Sequence, residues 1–88
     1  MSQVSQLTKA FALWKTKNPL REWRMRKKGG LTQSMVAVLL GKTAQAVRDY
    51  EAGNYTPDKD AMQSIAHLTG LKKMETLWRT WEAKKPAI

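Results

Sequence analysis

The sequence predicts an all-helical chain, and three observations carry that reading. Apolar residues recur at helical spacing in two amphipathic stretches, Val4, Leu7, Phe11 and Trp14 near the start and Leu71, Met74, Leu77, Trp78 and Trp81 near the end. Between them, short apolar runs are interrupted by Asn-Pro and by glycines every few turns. No segment alternates apolar and polar residues as a half-buried strand would. At 88 residues and 42% hydrophobic content, one small folded domain spanning 1–88 is expected.

The first helix covers about residues 3–16, with Lys9 and Lys15 off the apolar stripe, which serves as a core lid or as an interface. Asn18-Pro19 ends it and can start the next, because asparagine caps a helix N-terminus and proline suits the first helical position. That second helix is expected to run to about Lys28 and stop at Gly29-Gly30. Thr32 caps a short apolar helix from Gln33 to Leu40, ended by Gly41. Thr43 caps another from Ala44 to about Ala52, ended by Gly53. Asn54 to Pro57 has turn chemistry, and a helix from Asp58 or Lys59 to Leu68 follows, stopped by Gly70. The last helix covers about 71–83.

Composition excludes several functions. There is no cysteine, one histidine (His67) and seven scattered acids, so no catalytic constellation, thiolate metal site or cofactor motif can be named, and no enzyme activity is expected. The longest apolar run, Met35 to Leu40, is far short of the ~20 residues of a bilayer span. No secretory signal pattern stands at the N-terminus, so the expected location is the cytoplasm. No small-molecule ligand is evident. Sixteen Lys and Arg against seven Asp and Glu leave a net charge of +9, which points to a polyanionic partner. That charge is unevenly placed. Residues 1–28 carry eight bases and one acid, net +7; residues 29–70 carry three bases and four acids, net −1; residues 71–88 carry five bases and two acids, net +3.

The near-neutral middle holds the informative unit, Thr32 to Gly53, two short helices joined by a glycine turn. Ala37 and Gly41 are the small and flexible residues that a close, steep helix crossing needs, and Val36, Leu40 and Val47 supply apolar contacts. On the second helix Val47, Tyr50 and Glu51 share one face, while Gln45 and Asp49 lie opposite with Arg48 beside them, a distribution suited to reading base edges in a major groove.

Leu31-Thr32-Gln33, Val36-Ala37, Leu40-Gly41, Val47, Tyr50-Glu51-x-Gly53 and Pro57 together resemble the helix-turn-helix family of lambda-type phage repressors and Cro proteins. The resemblance extends through Leu20 to Arg24 upstream and Ile65 to Gly70 downstream, covering about 19–71. It implies a compact bundle of about five helices with the N-terminal amphipathic helix as an extra. It further implies that Gln33, Ala44, Gln45, Ala46, Arg48 and Asp49 face bases, and that Thr32, Lys42, Thr43, Asn54, Tyr55 and Thr56 touch phosphate. Gln45 would bond adenine, Ala44 and Ala46 would meet thymine methyls, and Arg48 would take guanine or phosphate. Asp49 would accept from cytosine or pair with Arg48. The basic run ending in Lys27 and Lys28 adds phosphate affinity. Arg24 is the preferred match to the family's first-helix arginine, expected near Glu51, with a loop from Met25 to Gly30 about two residues longer than usual. Arg26 is the alternative, which restores the loop length but takes Leu20 and Trp23 out of their core positions.

The expected function is sequence-specific transcriptional regulation, as a Cro-like repressor or autorepressor binding a near-palindromic operator in double-stranded DNA as a homodimer. An antitoxin or another protein-interaction module is the alternative. Leu71, Met74, Leu77, Trp78 and Trp81 are candidates for the dimer interface, because so short a chain has few interior sites left for them, although Trp78 and Trp81 would also suit a core.

Overall fold

The computed structural model describes residues 3–27 and 30–87, with backbone alone for residues 3–5. Six helices follow in order: α1 (Gln3–Thr16), α2 (Pro19–Arg26), α3 (Gln33–Leu40), α4 (Ala44–Ala52), α5 (Lys59–Thr69) and α6 (Met74–Ala83). No strand occurs among the described residues. The caps explain most boundaries. Asn18, Thr32, Thr43 and Asp58 each accept a backbone N–H three residues on, at 2.8–3.1 Å, which satisfies a donor the first helical turn leaves free. Gly41 takes the left-handed conformation (φ 66) and turns the chain from α3 to α4.

Two boundaries differ from the sequence reading. α2 stops at Arg26, not near Lys28, because Lys27 turns extended and Leu31 N–H bonds back to Arg24 O at 3.2 Å, pulling the chain across the helix end. The expected stop at Gly29 lies outside the described residues, as does Lys28. α6 begins at Met74 instead of Leu71, since residues 71–73 form a turn in which Met74 N–H bonds Leu71 O at 3.0 Å.

The core joins Leu20 of α2, Val36 and Ala37 of α3, Val47 of α4, Met62 and Ile65 of α5, and Met74, Trp78 and Trp81 of α6. Its placement corrects the expectation for three of the dimer-interface candidates, Met74, Trp78 and Trp81, which lie inside the chain. Trp78 and Met74 are fully buried and Trp81 nearly so; of the five residues named, Leu77 is exposed and Leu71 half-buried. α1 contributes to this interior through Trp14, with Phe11 packed against it. Trp14 stacks on Trp81 with ring centroids 4.1 Å apart and planes 2° from parallel. Each indole N–H bonds the other residue's carbonyl, at 2.7 and 2.8 Å, so both buried donors are satisfied. Phe11 and Trp78 extend this pair edge-on at 6.2 and 5.7 Å. The N-terminal helix is thus held by a reciprocal tryptophan clamp.

Candidate nucleic-acid interface

α3 and α4 form two short helices crossing through the Gly41 turn. The orientation of α4 is set from beneath. Val47 is fully buried, and one turn on, the Glu51 carboxylate receives Arg24 of α2 through two bonds, Nη2 at 2.7 Å and Nε at 2.9 Å. The pairing of Arg24 with Glu51 expected from the sequence is present. Arg24 also donates to Leu31 O at 2.8 Å, tying the loop before α3 to the same group. Gln33, at the start of α3, donates its amide to Glu51 Oε1 at 3.1 Å. One buried carboxylate therefore fixes α2, α3 and α4 together.

The outer face of α4 carries a hydrogen-bonded array. Gln45 donates to Asp49 Oδ1 at 3.2 Å, Asn54 donates to the same oxygen at 3.2 Å, and Arg48 donates to Gln45 Oε1 at 3.0 and 3.3 Å. Asp49 is thus satisfied by two amide donors, and Arg48 reaches Gln45, not Asp49. For Gln45 to bond adenine through both amide groups, these exposed bonds must exchange for bonds to the base, which exposure permits. Ala44 is half-buried and packs on the core, so it is turned partly away from the outer face, and Ala46 is half-buried as well.

The residues matched to phosphate divide into two groups. Thr32 and Thr43 cap α3 and α4 and use only their lone pairs on the helix, leaving each O–H free to donate beside an exposed helix N-terminus. Lys42 and Tyr55 are exposed. Asn54 is held by Asp49, and Thr56 donates its hydroxyl to Glu82 of α6. A carboxylate beside Thr56 opposes a phosphate there, so the turn presents Tyr55 more readily than its neighbours. Lys27 lies 4.9 Å over the Trp23 ring. Sequence reasoning missed the Asn54 link to Asp49, which the five-residue gap across a helix end conceals, and the approach of Trp14 to Gly53, which joins residues 39 apart.

A family model described as helix-turn-helix matches residues 20–77, two thirds of the chain, and spans both helices of this unit. The chain belongs to the lambda-repressor-like helix-turn-helix family. No curated protein and no solved structure matches it. In helix-turn-helix terms α3 is the first helix of the motif and α4 the recognition helix, and the family is one of DNA-binding transcription regulators. All of α1, and α6 beyond Leu77, lie outside the matched stretch. No described helix is long and apolar enough to cross a membrane. Among the described residues no three His, Asp or Glu side chains gather as metal ligands.

Proposed function

We propose that the chain is a sequence-specific regulator of the Cro-like repressor or autorepressor kind, acting in the cytoplasm on a near-palindromic operator occupied by two copies. The observation that carries this reading is the exposed Gln45–Arg48–Asp49–Asn54 array on a helix whose inner face is locked by Val47 and Glu51. Amide and guanidinium donors at a fixed spacing on an immobile helix are what base readout requires. Half-sites about 10 bp apart would place each α4 in successive major grooves. With Met74, Trp78 and Trp81 inside the chain, Leu71 and Leu77 supply a small part of the ~1,200–2,000 Å² that a stable interface buries. Spacing on the DNA, more than contact in solution, then pairs the two copies.

The test is selection of bound sequences from a random DNA pool, which returns the site, its symmetry and its spacing together. A single unsymmetrical half-site would remove the two-copy reading. Gln45→Ala and Arg48→Ala should each lower preference for the selected site by about 1–3 kcal/mol, with binding to random DNA nearly unchanged. Retained preference in both variants would show that another face reads the bases.

The near-neutral middle leaves phosphate attraction to Lys27 and Lys28 at the end of the first basic flank, to the capping threonines and to Lys42. Lys27→Gln with Lys28→Gln should weaken binding to every sequence alike and reduce the slope of log affinity against log salt, by up to about 0.9 for each phosphate no longer neutralised. A changed sequence preference in this variant would contradict that division of roles.

A further inference from the structure

A groove of about 810 Å³ opens between α1, α2 and the C-terminal part of α6. Leu13, Trp14, Leu77 and Trp81 give it an apolar lining, with Leu13 64% and Leu77 43% exposed. Lys17, Arg26 and Lys84 line it against one carboxylate, Glu22. Lys85 adds a fourth cation, its ammonium 5.8 Å from the Trp14 ring centroid. Most of the lining falls before residue 20 or after residue 77, so the groove is built from what this chain adds to the helix-turn-helix unit.

We propose that this groove docks an acidic amphipathic helix of a partner protein, its apolar side on Leu13 and Leu77 and its carboxylates on Lys17, Arg26 and Lys84. Charge decides between occupants. A second copy presenting the same face would set these cations against their own counterparts, with one Glu22 from each copy between them. A small ligand would stay largely wet between side chains this exposed, whereas small-molecule sites bury about 70–90% of their ligand. A helix of another protein meets both features, reading an apolar groove with residues one turn apart and carrying Asp and Glu along its edges.

The probe is a fluorescein-labelled peptide of about 18 residues, five helical turns, with leucines along one face and glutamates flanking them. A second peptide has lysine for every glutamate. Both are titrated with the full chain by fluorescence anisotropy. The glutamate peptide should bind at least about tenfold tighter at low salt, the ratio narrowing as ionic strength rises. Leu13→Ser with Leu77→Ser should weaken it by a further order of magnitude while the melting temperature stays close to that of the parent, and binding should shift the Trp14 and Trp81 indole N–H resonances. Lys17→Glu with Lys84→Glu, which leaves the core untouched, should reverse the peptide preference. Undiminished binding to the serine variant would mean that general charge alone holds the peptide, and the proposal fails. It fails equally if neither peptide binds, or if sedimentation shows a dimer of the parent chain that the serine variant dissociates.

Discussion

Glu51→Ala is expected to cost about 3–5 kcal/mol of folding stability, the range seen when one partner of a buried ion pair is removed. The Glu51 side chain is 4% exposed and that of Arg24 11%, so the guanidinium left behind would be a nearly buried charge without a counter-ion. Gln33 loses its acceptor in the same step. For a chain of this length total stability is of order 4–13 kcal/mol, so the variant stands near the edge of folding. Urea denaturation followed by helical circular dichroism measures the loss, and because the pair is shielded from solvent, added salt should rescue little of it.

The pair's worth is a separate question from the cost of breaking it. Replacing both members by apolar residues of similar volume, Arg24→Met with Glu51→Leu, should recover most of the loss, because no orphaned charge remains. Leu31 O and the Gln33 amide would still lack the partners that Arg24 and Glu51 provide, and recovery should stop short of the parent for that reason. If Glu51→Ala alone cost under about 1 kcal/mol, the pair would be behaving like a surface ion pair, and its role in holding α2, α3 and α4 together would be refuted.

How much of this was legible in the residues depended on the range of the interaction. Thr32, Thr43, Gly41 and Gly53 act within one helical turn, and the limits of α3 and α4 follow from them to the residue. The Arg24–Glu51 pair spans 27 residues but was readable because the family resemblance aligned both positions. The Trp14–Trp81 clamp spans 67 residues and lies outside the shared unit, so neither local pattern nor family likeness could reveal it. Met74, Trp78 and Trp81 therefore read equally well as interface or as core. An amphipathic stripe shows that a face must be covered, and nothing in its periodicity says whether the cover is the same chain or another. In the site, α4 orientation was legible, whereas the array joining Gln45, Arg48, Asp49 and Asn54 depends on side-chain directions that spacing leaves free.

The clamp makes Gly53 the second position of large expected effect. Gly53 closes α4 at φ 76, where any L side chain is strained by about 1–2 kcal/mol. A Cβ there would also overlap Trp14 Cη2 and lie 2.9 Å from Trp14 Cζ3. The ring cannot swing aside, since it is stacked on Trp81 and bonded through its N–H to Trp81 O. Overpacking of this sort adds about 1–3 kcal/mol, so Gly53→Ala should cost about 2–5 kcal/mol in urea denaturation. Gly41 supplies the control, having a similar φ of 66 and nothing within 4 Å of an added Cβ, so Gly41→Ala should show the strain alone. In a Trp14→Phe background, where the outer ring is gone, the cost of Gly53→Ala should fall toward the Gly41 value. Equal costs in the two backgrounds would mean that the clamp yields freely. The coupling has a functional side too, because Asn54, which follows Gly53 directly, bonds Asp49 through both backbone and side chain. Displacing the cap would loosen Asp49 and with it Gln45, so Gly53→Ala should reduce operator preference beyond what Gly41→Ala does, at temperatures where both variants are folded. Such a result would tie α1, which the matched family stretch does not include, to the precision of readout by α4.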